Sequence, residues 1–96
     1  MTKEDALMKL AECRLLIDAI DLNILQMLNE RARVVEVIGS VKQQAEMPVY
    51  EPKREDEVYQ NVLEHNAGPL PSDAVKRVFE RVIDEMRTLQ KTRMQK

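Results

Sequence analysis

From about Lys3 to about Ala45 the chain contains no proline, and its apolar residues return every three or four positions. Leu7, Leu10, Ile17, Ile24, Leu28, Val35 and Ile38 fall on the a and d positions of one heptad seam. The pattern predicts a single, very long first helix. Thr2 is placed to cap it, with Glu4 and Asp5 complementing the dipole in the first turn. Gly39 interrupts the seam, and an interior glycine costs roughly 1 kcal/mol relative to alanine. Either another backbone approaches closely there or the helix tolerates a break.

The residue before a proline avoids helical angles, so the first helix should stop before Met47-Pro48. The connector Pro48-Val49-Tyr50-Glu51 leads to Pro52, a favoured first helical residue, with Glu51 on the N-cap side. A second helix then runs to about Asn66 with Val58, Val62 and Leu63 inward, and Gly68-Pro69 ends it, Gly68 acting as C-cap. Ser72 is the expected N-cap of a third helix. The inner face of that helix is Val75, Phe79, Val82, Ile83, Met86 and Leu89. The expected fold is all-α, one very long helix and two shorter ones, in a single helical domain over residues 1–96.

One chain cannot cover such a seam. A helix of about 40 residues is about 60 Å long, whereas a compact domain of about 100 residues has a radius of gyration of about 13 Å. The uncovered stretch would be a large apolar patch. Two antiparallel copies wrapped by the shorter helices satisfy both seams by symmetry, so the expected assembly is an intertwined helical homodimer.

Composition agrees. Aromatics are only 3% and there are two glycines, while 44% of residues are hydrophobic and 33% charged, which favours helices and a globular chain. A formal charge of −2 without aromatic platforms argues against nucleic-acid binding. The single cysteine, Cys13, leaves no internal disulfide, and no metal-spaced Cys/His cluster is present. No apolar run approaches the length of a membrane span, and the N-terminus shows no signal core. The expected location is cytoplasmic, without metal or membrane partners.

The heptad also places four charges where apolar residues belong: Arg14, Asp21 and Lys42 at a, and Arg31 at d. Burying an unpaired charge costs several kcal/mol. Two readings stay open on periodicity. A straight helix drifts about 20° per heptad, which lets long side chains reach water, and Arg14 with Asp21 could form a structural pair. Alternatively, the cations line a pocket. Residues 31 and 42 are 11 apart, which returns Lys42 to within about 20° of Arg31 and about 16 Å along the axis. Two long cations so placed can converge on a small anion. Arg14 points about 100° away from Arg31, so it serves a partner's pocket more easily than its own.

Glu51, Arg54 and Glu55 stand at the start of the second helix, where backbone N–H groups are free; ordinary capping and a solvent ion pair would also account for them. Gln90 lies on the apolar face through Phe79, Ile83 and Met86, either bonding a neighbouring backbone or presenting its amide to a ligand. The one histidine, His65, sits near the end of the second helix. No nucleophile–base pair, phosphate-cradling glycine loop or His-Glu-x-x-His sequence occurs. An enzyme with this inventory works by fixed charge and shape, which suits a unimolecular rearrangement.

The ordered set Arg14…Asp21…Arg31…Gly39-Ser40-Val41-Lys42, then Pro48-Val49-Tyr50-Glu51-Pro52-Lys53-Arg54-Glu55, resembles the all-helical chorismate mutases. Gly68-Pro69-Leu70, Val78-Phe79-Glu80 and Leu89-Gln90 are similar to that family's C-terminal part. The resemblance implies an isomerase, an intertwined dimer that converts chorismate to prephenate by a Claisen rearrangement without cofactor, in phenylalanine and tyrosine biosynthesis. It implies that Arg31 and the partner's Arg14 clamp the substrate carboxylates, and that Lys42 and Gln90 hydrogen-bond the ether oxygen. Glu55 would bind the ring hydroxyl with Glu51 beside it, and Arg54 would orient these acids. Two positions depart from the family pattern. Met86 stands where bacterial members often carry a small polar residue such as serine, bearing on substrate binding, and Glu51 replaces the more usual aspartate. The alternatives are an isochorismate pyruvate-lyase, which resembles the same fold, and a non-catalytic helical dimerisation or ligand-sensing module.

Overall fold

The computed structural model describes residues 1–94 of the chain. Those residues form three α-helices in the order α1 (Lys3–Gln44), α2 (Pro52–His65) and α3 (Ser72–Met94), and no strand is present among them. The chain divides into two units, Met1–Arg31 and Ala32–Lys96.

The first unit is helix throughout beyond Thr2. Thr2 and Asp5 form a reciprocal cap: the Asp5 N–H donates to Thr2 Oγ1 at 3.1 Å, and the Thr2 N–H donates to Asp5 Oδ2 at 3.3 Å. Two orphan donors of the first turn are satisfied in this way. The seam predicted from the sequence lies open within the chain: Leu7, Leu10, Ile17 and Ile24 are all exposed, and Leu28 is half-buried. Apolar side chains also line neighbouring positions, Ile20 and Met27 among them.

In the second unit the last turns of α1 meet α3 and the connector, and α2 packs on α3. Val35, Val75 and Ile83 are its buried apolar residues. Helix α3 joins α1 near their C-terminal ends, where Arg93 Nε meets Glu36 Oε2 at 2.6 Å and Gln43 Nε2 donates to the Met94 carbonyl at 2.9 Å. Gly39 marks the close approach rather than a break. A Cβ built on it would lie 3.1 Å from Gln90 Cγ and 3.7 Å from Met94 Cγ. Helices α2 and α3 run antiparallel, tied by Glu55 with Arg87 and, one turn further along α2, by Lys76 over the Tyr59 ring, 5.8 Å from its centroid.

Two caps differ from the sequence expectation. Asn66, not Gly68, is the C-cap of α2. It adopts an extended conformation, and its side chain holds the turn that follows, donating to the Leu70 carbonyl at 2.8 Å and accepting the Gly68 N–H at 3.0 Å. Gly68 has φ +78° and serves that turn instead, before a cis Gly68-Pro69 bond. At α3 the cap falls one residue earlier than expected. The Pro71 carbonyl already accepts the Val75 N–H at 3.1 Å, which makes Ser72 the first helical residue.

Candidate active site

Lys42 lies on the last turn of α1 and is only 8% exposed. A buried ammonium needs partners. Its Nζ donates to the Val49 carbonyl at 3.0 Å and pairs with Glu51 Oε1 at 2.8 Å. Those contacts use two of its three N–H donors. Both partners come from the connector that the prolines at 48 and 52 stiffen, so the extended segment wraps the end of α1 and folds over its cation. Glu51 occupies the N-cap position of α2, its carbonyl accepting the Glu55 N–H at 3.1 Å, while its side chain makes no cap and turns to Lys42.

One turn before Lys42, Gly39 receives the side chain of Gln90, which is 7% exposed. Gln90 Oε1 is buried without a hydrogen-bond partner among the described residues. Such an atom is costly unless something binds it. The amide oxygen and nitrogen of glutamine exchange places by a flip, so the same site offers an acceptor or a donor. Phe79 and Met86 are half-buried and Ile83 buried on the same face of α3.

A second charged group lies between α2 and α3. Arg87 Nη2 donates to Glu55 Oε2 at 2.5 Å, its Nη1 lies 3.4 Å from Asp84 Oδ1, and its guanidinium carbon sits 5.2 Å from the centre of the Tyr50 ring. The hydrogen bond to Glu55 raises the Arg87 pKa above its ordinary value, against the opposing effect of burial, with the Glu55 and Asp84 charges adding to the rise. Burial raises the Tyr59 hydroxyl above its ordinary value, as do the charges of Glu80, Glu55 and Asp84, while Arg87 acts in the other direction.

The structure thus brings Lys42, Glu51, Glu55, Gln90 and Met86 into the second unit, with Lys42 and Gln90 buried and Glu51, Glu55 and Met86 half-buried. Arg54 is exposed on α2, and Glu55 pairs with Arg87 of α3. Arg31, half-buried, and Arg14, exposed, belong to the first unit. Arg87 escaped the sequence reading. Its signal was there, four residues after Ile83 and three before Gln90, an arginine on the buried side of α3. Cys13 and His65 are exposed, and the His65 ring bonds the Asn61 carbonyl of its own helix at 2.7 Å. Among the described residues no group of three or more His, Cys, Asp or Glu side chains is placed to hold a metal ion. No helix among them is long and apolar enough to cross a membrane.

Comparison with known proteins bears directly on this arrangement. The chorismate mutase of Methanocaldococcus jannaschii is 32% identical over 86% of this chain and 85% of its own length. The bifunctional chorismate mutase/prephenate dehydratase of Aquifex aeolicus is 36% identical over 86% of this chain. This chain spans about a quarter of the length of such bifunctional relatives, 24% in that case. The structure of Helicobacter pylori chorismate mutase in complex with prephenate superposes with a TM-score of 0.84 at 26% identity, covering 91% of this chain and 94% of that one. Residues 13–91 match the family described as chorismate mutase type II. With three helices, a buried lysine at the end of the long one and a buried glutamine packed on Gly39 of the same helix, this chain belongs to the type II chorismate mutase family.

Proposed function

We propose that this chain acts as a homodimer that converts chorismate to prephenate by an intramolecular Claisen rearrangement. The observation that carries the reading is the buried Lys42 ammonium, one turn from the glycine that seats a buried, incompletely bonded Gln90, in a chain of this family.

In the rearrangement a carbon–oxygen bond breaks while a carbon–carbon bond forms, and negative charge gathers on the ether oxygen. A site that lowers this barrier needs donors fixed in advance where the charge appears. Lys42 is held by Val49 and Glu51 and offers its remaining N–H to that oxygen; Gln90, in its donor orientation, offers a second. Burial strengthens both contacts, because no water competes. Arg31 and Arg14 of the partner subunit clamp the two carboxylates, holding the flexible ether in a reactive conformation. Glu55 accepts the ring hydroxyl, with Glu51 nearby, while Arg54 adds positive potential from the surface and Met86 contributes apolar contact. No cofactor takes part, and no metal, membrane or nucleic acid is a partner. The homodimer is supported by the exposed seam Leu7, Leu10, Ile17 and Ile24, and Arg14 in trans follows from it. A single exposed cysteine suits the cytoplasm as the proposed compartment.

The test is direct. Purified protein supplied with chorismate alone should yield prephenate in equal molar amount. No prephenate from the folded dimer would reject the reading, and pyruvate released from isochorismate in its place would assign the lyase reaction instead.

A further inference from the structure

Glu55 stands at the start of α2 and is oriented from outside that helix. Its Oε2 accepts Arg87 Nη2 from α3 at 2.5 Å, and Arg87 is itself held from two further sides, by Asp84 one turn back and by the Tyr50 ring from the connector. The same connector supplies both groups that hold Lys42, Val49 and Glu51. Arg87 therefore ties α2, α3 and the connector together beside Glu55. Its Nε is buried without a hydrogen-bond partner among the described residues, so the guanidinium is not placed for its own solvation. A charge-assisted bond to a carboxylate fixes direction as well as charge.

From this geometry we propose that Arg87 is a positioning residue: it aims the Glu55 carboxylate at the substrate's ring hydroxyl, and so governs recognition of that hydroxyl without touching the substrate. The inference rests on the proposed reaction and on the place of Glu55 in it, and adds to that reading a residue and a specificity. Arg54, the nearer arginine in sequence, is exposed and is not the partner that sets this carboxylate. Arginine serves better than lysine, because a lysine has neither the planar face that lies over Tyr50 nor the second arm that reaches Asp84.

The test compares wild type with Arg87→Met, Arg87→Lys, Glu55→Gln and the double variant Arg87→Met/Glu55→Gln. Two substrates are used, chorismate and an analogue lacking the ring hydroxyl. With chorismate, Arg87→Met should lower kcat/KM by about 10- to 100-fold, the range expected for a charge-assisted hydrogen bond. Arg87→Lys should recover part of that loss. The double variant should be no worse than Glu55→Gln alone, since Arg87 acts through Glu55. With the analogue, wild type and Arg87→Met should turn over at the same rate. Losses that add in the double variant, or that are equal on both substrates, would overturn the proposal and leave Arg87 a structural tie only. Wild type inactive on chorismate would instead reject the reaction, and the inference with it. Circular dichroism of each variant separates loss of fold from loss of aim: Arg87→Met that keeps its helical signal but shows wild-type kcat/KM also overturns it.

Discussion

Replacing Gly39 by alanine sets two effects of known size against each other. Alanine favours an interior helical position over glycine by about 1 kcal/mol. The new methyl, however, would stand 3.1 Å from Gln90 Cγ, with the Gln90 carbonyl oxygen at 3.6 Å and Met94 Cγ at 3.7 Å. Carbon pairs rest at about 3.5–4.0 Å, so Gln90 Cγ must retreat by at least about 0.4 Å. The oxygen and the methionine are already at ordinary contact distance and need not move. Overpacking of this kind costs about 1–3 kcal/mol. The net destabilisation is then about 0–2 kcal/mol, small enough for the variant to fold. Activity should suffer as well as stability. The Gln90 amide lies beyond the displaced carbon, and a misplacement of about 1 Å costs on the order of 100-fold, so a shift of this size should lower kcat by roughly tenfold. Urea unfolding followed by circular dichroism, with steady-state prephenate formation on the same preparations, reads both effects. A variant that is stabilised by the full helical preference and turns over at the wild-type rate would refute the reasoning, because Gln90 would then be free to yield.

Two further outcomes are expected. Arg14→Ala and Arg31→Ala chains, each weakly active alone, should regain one intact site per mixed dimer after subunit exchange; no recovery despite demonstrated exchange would reject the shared pocket. Tyr59 has a pKa raised in the folded state, chiefly by burial, so the folded form holds its proton more tightly than the unfolded chain does. The associated stability is complete below the ordinary value of about 10 and is lost as pH rises through the folded value. Tyr59→Phe should therefore show a shallower fall in Tm above about pH 10 than wild type, and identical slopes would remove tyrosine from the account.

Much of this fold is legible in the sequence for a simple reason. Proline and period act locally, so the stop before Pro48, the start at Pro52 and the apolar face of α3 need no tertiary information. Thr2 with Asp5 is equally local, a side chain meeting a backbone three residues away. The α2 terminus was less so. Asn66 and Gly68 both suit a helix end, and the choice fell to Asn66 because its amide also reaches the Leu70 carbonyl across the turn. The apolar residues of the α1 seam are plain in the sequence, and a single chain leaves Leu10, Ile17 and Ile24 exposed.

Lys42 on the α1 seam and Gln90 on the apolar face of α3 stand out in the sequence as polar residues where apolar ones belong, and both are buried. Arg87 was not singled out because the α3 stripe from Val75 to Leu89 is complete without it. An arginine beside a finished stripe looks solvated until Glu55 and Tyr50 are brought against it by the turn and the connector. Spacing along one helix could not supply that pairing, which joins residues 32 apart.

The most direct measurement is prephenate formation by Lys42→Met beside wild type. The substitution keeps an apolar stem of similar shape as far as Cε and removes the ammonium that meets Val49 and Glu51. With helical circular dichroism retained, kcat/KM should fall by at least about 100-fold, the size expected when a preorganised donor to a developing oxyanion is lost. A folded Lys42→Met protein that converts chorismate as fast as wild type would contradict the account, because the buried cation would then play no part in the chemistry.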